Sequence, residues 1–194
     1  MSIKFYDDNA DNFFNNTVNA DMKNLYSQFE KYLKYNSGEI LDLGCGSGRD
    51  SKYFIEKGFK VTALDLSPKL AEKASKYIGQ KVIVGDMRDL KFDNKFIGIW
   101  ACASLLHLNE EEVLATLEKC VAALKKDGIL YASFKYGNNN YEKDGRTFTC
   151  FTEEKFTNLV TNLKFEILTS FITEDVRAGR KNEKWFNIII MKKI

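Results

Sequence analysis

The sequence predicts an α/β fold with a largely parallel, doubly wound sheet, and three observations carry that expectation. Apolar runs of strand length alternate with stretches of helical periodicity. A glycine-rich turn, Gly44-Cys45-Gly46-Ser47-Gly48, follows the first strand, and the acidic residues Asp65 and Asp86 close the second and follow the third. Parallel neighbours need a crossover, which a right-handed helical connection supplies.

Met22, Leu25, Tyr26, Phe29, Tyr32 and Leu33 recur at helical spacing and predict a leading helix within an amino-terminal helical cap over residues 1–37. Gly38 closes it, and residues 39–43 form a short apolar strand running into the glycine turn. A helix over 49–57 ends at Gly58, and 60–64 is a second strand ending at Asp65. Ser67 and Pro68 cap and open a helix carrying Leu70, Ala71, Ala74 and Ile78, after which 82–84 is a third strand. A fourth strand, 96–100, leads through 101–107 into a helix opened by Asn109 and Glu112 and ended by the Asp127-Gly128 turn. The fifth strand spans 129–134. Past a polar loop with Gly137-Asn138-Asn139-Asn140 come a helix holding Phe156, Leu159 and Val160, then strands 165–169 and 185–191. The connection of about 171–184 lacks a helical pattern, so the last two strands are predicted to pair as an antiparallel hairpin at the sheet edge.

A chain of 194 residues fits one domain, with the core over 38–194. At 44% hydrophobic and 29% charged residues it reads as soluble, and no apolar run approaches the roughly 18 residues of a membrane span. Its first residues lack the apolar segment of a secretory signal, which predicts a cytoplasmic address. Cys45, Cys102, Cys120 and Cys150 lie far apart and His107 is the only histidine, so neither a metal site nor a disulfide framework is indicated. A net charge of +2 is too mild to indicate a nucleic-acid partner. Arg177, Arg180 and Lys181 are interleaved with Glu174, Asp175 and Glu183 and read as a solvated face.

The glycine turn lets the backbone pass close to a ligand and aims helix amides at negative charge. Its spacing is G-x-G-x-G, not the dinucleotide pattern G-x-G-x-x-G, and a bound carboxylate can use those amides with Arg49 as a nearby cation. Asp65, followed by Leu66 and Ser67, is placed to accept two ribose hydroxyls. Asp86 can accept an exocyclic amine and Met87 can cover an adenine face. Plainer roles stand beside these: Asp42 satisfying turn amides, Met87 filling core, Arg49 opening a helix as a surface cation.

The run Ile40-Leu41-Asp42-Leu43-Gly44-Cys45-Gly46-Ser47-Gly48 resembles the first motif of class I S-adenosylmethionine-dependent methyltransferases. That resemblance implies a Rossmann-like seven-stranded sheet of order 3-2-1-4-5-7-6 with strand seven antiparallel. It implies S-adenosylmethionine as cofactor and S-adenosylhomocysteine as product, ribose binding by Asp65, adenine binding at Asp86, and a sulfonium-lining segment over 101–106 that includes Ala101 and Ala103. Gly44 to Ser51 is similar to small bacterial methyltransferases of the tellurite-resistance type. Phe5-Tyr6-Asp7 resembles their leading segment, which closes over the cofactor and brings Tyr6 to the site.

Methyl transfer from a sulfonium is an in-line displacement, so the protein mainly aligns the acceptor and excludes water. A hydroxyl or protonated-amine acceptor needs a base, and His107 is the candidate; its plainer role is a helix-flanking loop residue. Tyr6, Lys135, Tyr136, Arg177, Arg180 and Trp185 are candidate acceptor-pocket residues. The proline-bearing motifs of DNA methyltransferases are missing, since Pro68 is the only proline. The expected partner is a small-molecule methyl acceptor, with no DNA and no membrane, for a monomer or homodimer. An RNA or protein acceptor, an NAD-dependent oxidoreductase and a non-catalytic cofactor-binding scaffold stay open as alternatives.

Overall fold

Strands buried on both faces form the centre of the computed structural model, which describes residues 2–177, 179–180 and 182–193. Three helices lead: α1 (Ser2–Asp8), α2 (Ala10–Thr17) and α3 (Lys23–Glu30). Then β1 (Glu39–Leu43), α4 (Arg49–Glu56), β2 (Lys60–Asp65), α5 (Pro68–Ile78), β3 (Ile83–Val84), β4 (Phe96–Ala101), α6 (Glu110–Ala123) and β5 (Leu124–Tyr136) alternate. Three short strands follow, β6 (Tyr141–Lys143), β7 (Arg146–Phe148) and β8 (Cys150–Phe151), before α7 (Glu153–Val160), β9 (Phe165–Glu174) and β10 (Lys184–Lys192). The main sheet runs β3-β2-β1-β4-β5-β10-β9. Its first five strands are parallel, and β10 is antiparallel to both β5 and β9. This is the predicted order, with β9 and β10 as strands six and seven.

Side-chain alternation builds the layers. Ile40, Ile129, Tyr131 and Ile189 face one side, where Tyr26 and Phe29 of α3 and Phe54 of α4 cover them. Leu41, Leu43, Leu130, Ile188 and Ile190 face the other, against Val113 and Leu117 of α6 and Phe156 and Val160 of α7. Each such large apolar side chain, fully buried, contributes about 1.5–3 kcal/mol. Helices α1 and α2 lie against α5 and so reach the carboxyl ends of the parallel strands. Among the described residues no helix is long and apolar enough to cross a membrane.

The structure corrects four expectations. Helix α6 ends at Ala123, before the Asp127-Gly128 pair; Leu124 already pairs with Phe96, and Asp127 sits within β5 at φ 60°. β9 and β10 pair from Glu174 with Lys184 to Phe165 with Lys192, so their connection is 175–183 and not 171–184. β9 is an edge strand with half-exposed residues such as Ile172, and its apolar alternation is correspondingly weak. β8 pairs with β5 as an eighth strand. The polar loop after β5 opens into the β6–β7 hairpin, turned by Asp144 and Gly145 at φ 52° and 70°. An Asp-Gly pair with both residues at positive φ is a favoured two-residue hairpin turn, a local signal present in the sequence.

Candidate active site

Gly44 and Gly46 hold φ of 77° and 56° at the carboxyl end of β1. A Cβ on Gly44 would lie 2.5 Å from Ser104 Cβ, and one on Gly46 would lie 3.0 Å from Phe13 Cε1. The turn is therefore packed to the limit by the loop after β4 and by α2. Its amides are not the free anion cradle that the sequence suggested. Gly44 and Cys45 both donate to the Leu64 carbonyl at 2.8 and 3.0 Å, and Gly46 donates to Asp65 Oδ2 at 2.8 Å. The end of β2 lies alongside the turn and takes up those donors.

Asp65 is fixed at its other oxygen too, where Oδ1 accepts from the Ser67 amide at 2.9 Å. Burial raises its pKa, and the Ser67 and Gly46 amides oppose that rise. The amino-terminal cap sits on this edge. Ser67 Oγ donates to Asp7 at 2.5 Å, and Thr17 Oγ1 donates to Ser47 Oγ at 3.1 Å.

A cavity of about 1040 Å³ opens here, and every predicted site residue except Asp42 and Ala101 lines it. Asp42 lies beneath the turn, 1% exposed, accepting the Ser51 hydroxyl at 2.6 Å, its pKa pushed up by burial and the neighbouring Asp50 carboxylate. Ala101 is wholly buried because strand alternation turns it into the core. The left-handed residue after β4 is Ala103, at φ 51°, with its amide donating to Ser133 Oγ at 2.8 Å. The buried Ser104 Oγ beside it has no hydrogen-bond partner among the described residues.

Arg49 belongs to a buried network that sequence reading missed. Its Nε and Nη2 donate to the two oxygens of Asp50 at 2.7 and 2.8 Å, which also accept from Tyr26 at 2.5 Å and Trp100 Nε1 at 2.9 Å. Burial opposes ionisation of Asp50, yet Arg49 and these donors hold its carboxyl below the usual range. Asp86 caps the turn after β3 and is clamped by Arg88 through Nε at 3.0 Å and Nη2 at 2.5 Å, which lowers its pKa. Its carboxylate is thus shared already with a guanidinium. Met87 Cε reaches to 3.4 Å of the Cβ position at Gly44. Carboxylates predominate at this end of the cavity: Asp50, Asp65, Asp86 and Glu112 against Arg49 and Arg88.

The opposite end joins residues remote in sequence. The Nδ1 of His107 lies 2.8 Å from the Thr147 carbonyl, which can only accept, so Nδ1 carries the proton. Nε2 is then an acceptor, and Tyr6 donates its hydroxyl to it at 2.6 Å. Burial drives the His107 pKa down to about 4, with Arg146 adding to the effect and the Thr147 bond opposing it. With its lone pair occupied and its cation disfavoured, His107 is poorly placed for base catalysis, which weighs against the first of its two expected roles. Arg177 and Arg180 both line the cavity; Arg180, with a side chain 51% exposed, keeps the expected solvated character, while Arg177 is drawn into an ion pair with the buried Asp175, and Lys181 lies outside the described residues. Asp175 accepts from Arg177 Nε and Nη2 at 2.9 and 2.6 Å and from Trp185 Nε1 at 3.1 Å; although burial opposes ionisation, Arg177 brings its pKa to about 2. Lys135 Nζ lies 3.9 Å from the Trp185 ring centre and pairs with Glu183. Tyr136 also lines this end.

A methyltransferase-domain family model matches residues 40–128, the stretch that carries the glycine turn, Asp65 and Asp86. YqeM of Bacillus subtilis is 32% identical over 124 residues, spanning 57% of this chain and 50% of YqeM. Carboxy-S-adenosyl-L-methionine synthase of Vibrio parahaemolyticus is 29% identical over 118 residues, 55% of this chain and 47% of the synthase. The chain thus spans about half the length of these curated relatives. The crystal structure of Burkholderia thailandensis 1,6-didemethyltoxoflavin-N1-methyltransferase, with its acceptor and S-adenosylhomocysteine bound, superposes with a TM-score of 0.80. That match covers 99% of this chain and 85% of the other at 22% identity, a likeness of fold. The motif, the strand order and the matched domain over residues 40–128 together make the chain similar to the class I S-adenosylmethionine-dependent methyltransferases.

Proposed function

We propose that this protein transfers a methyl group from S-adenosylmethionine to a small-molecule acceptor. The observation that carries the reading is the hydrogen bond from the Gly46 amide to Asp65, which makes the glycine turn and the carboxylate one continuous surface. The site fits the donor on one further count: beside the turn, the buried Ser104 hydroxyl has no partner among the described residues. Asp65 would hold the ribose hydroxyls, Met87 an adenine face, and Arg49 the amino-acid carboxylate. A cavity of about 1040 Å³ lies at the top of the roughly 300–1,000 Å³ range of single-ligand pockets, so it has room for donor and acceptor together.

When bound, S-adenosylmethionine supplies an electrophilic methyl carried on a sulfonium. Held by Asp65, Met87 and Arg49, it would supply that methyl group to a lone pair of the acceptor. The protein's share is placement and exclusion of water: α1 and α2 cover the turn, and Tyr6, held by His107, closes the wall between the two ends. His107 acts as a positioning residue and not as a base. We place the protein in the cytoplasm, in keeping with its four separate free thiols.

Incubation with methyl-labelled S-adenosylmethionine and a panel of thiols, phenols, amines, tellurite and transfer RNA tests this. Label is expected in a small acceptor. Label in transfer RNA alone would replace the acceptor class, and no transfer to any acceptor would favour the scaffold alternative.

A further inference from the structure

One cation at the acceptor end is only partly satisfied by its carboxylate. Arg177 is taken up by Asp175 and Lys135 by Glu183. Arg146, carried by β7, has a side chain only 17% exposed, and its Nη2 contacts the more exposed Asp144 at 3.2 Å. Its Nε is buried without a hydrogen-bond partner among the described residues. The guanidinium lies 3.7 Å from the Phe5 ring centre and 5.2 Å from that of Phe148, and Phe148 is itself stacked on Tyr141 at 4.8 Å. A guanidinium framed by flat aromatic faces, and paired only through Nη2 with the solvent-exposed Asp144, can exchange that partner for the edge of a planar carboxylate.

The surrounding charge agrees. Six cations face four carboxylates at this end among the described residues, the reverse of the cofactor end. A donor bearing a sulfonium suits the acidic end, and an anion suits the other. Resting on the methyl-transfer reading, we propose that the acceptor is a small conjugated or aromatic acid whose carboxylate is gripped by Arg146, with its ring against Phe148. The carboxylate is the handle, and the methylated atom lies elsewhere on the ring, toward the cofactor end. Selectivity then comes from a guanidinium left unsatisfied by any neutral isostere.

Hydroxybenzoates, mercaptobenzoates and their amide counterparts, titrated by calorimetry into protein saturated with S-adenosylhomocysteine, test the assignment. At least one acid is expected to bind about tenfold or more tightly than its amide. Arg146→Gln should erase that preference while leaving S-adenosylhomocysteine affinity and melting temperature unchanged. Arg146→Lys keeps the charge without the fork and should lose about threefold or more of the preference; it carries the test should Arg146→Gln fail to fold. Acid and amide binding equally, neither binding, or either variant keeping full preference overturns the inference. Wild-type protein that does not bind S-adenosylhomocysteine at all strikes instead at the methyl-transfer reading, and the inference falls with it.

Discussion

The two ends of the cavity are built on different principles. At the cofactor end, the turn, Asp65 and Asp86 are fixed by consecutive strand ends, and each carboxylate is already held by backbone amides or a guanidinium. At the acceptor end, Tyr6, His107, Arg146 and Arg177 come from four separate segments, and the contact between Tyr6 and His107 joins residues 101 positions apart. One end is a local device set by backbone geometry; the other is assembled from separate segments around a partly satisfied cation. Binding of the donor and choice of acceptor are therefore separable by mutation.

Three substitutions break or sharpen that contrast. Asp50→Ala removes the carboxylate shared by Arg49, Tyr26 and Trp100 and strands a buried guanidinium. Chemical denaturation should show a loss of about 3–5 kcal/mol, with donor affinity falling too. Gly44→Ala adds a Cβ 2.5 Å from Ser104 Cβ at φ 77° and should lose about 2–4 kcal/mol together with S-adenosylhomocysteine binding. Gly58→Ala, at φ 90° with nothing within 4 Å of the new Cβ, should lose only about 1–2 kcal/mol and leave binding intact. Equal effects of the two would show that the turn is not packed against the loop after β4.

A further effect belongs to the acceptor end and follows pH. His107 has a pKa of about 4 in the folded chain against 6.5 unperturbed, so between those values the unfolded chain binds more protons. Its contribution to stability is complete above pH 6.5 and is lost as pH falls toward 4. The wild type should lose about 1–3 kcal/mol more than His107→Gln over that window, read from denaturant midpoints. The pH dependence of turnover between about 6 and 9 should show no limb from this histidine.

The difference between the ends also explains what could be read from the sequence. Parallel order, the glycine turn and Asp65 are legible because strand, turn and helix are contiguous and their spacing is set by backbone geometry. The acceptor end is not, because no local pattern says that Thr147 will cradle the ring of His107 or that Asp50 will collect donors from Tyr26 and Trp100. Those pairings are set by tertiary packing. The β6–β7 hairpin is intermediate: its Asp144-Gly145 turn is a local signal, masked by the surrounding polar residues. The alternation of Arg177 with acids fits a solvated face as well as its ion pair with the buried Asp175, so sequence alone does not separate the two.

Titration calorimetry of the wild type and Asp65→Ala with S-adenosylhomocysteine and with NAD tests the central assignment most directly. S-adenosylhomocysteine should bind the wild type and weaken by about ten- to a hundredfold in Asp65→Ala, with NAD binding neither. Tight NAD binding, or affinity for S-adenosylhomocysteine indifferent to Asp65, would contradict it.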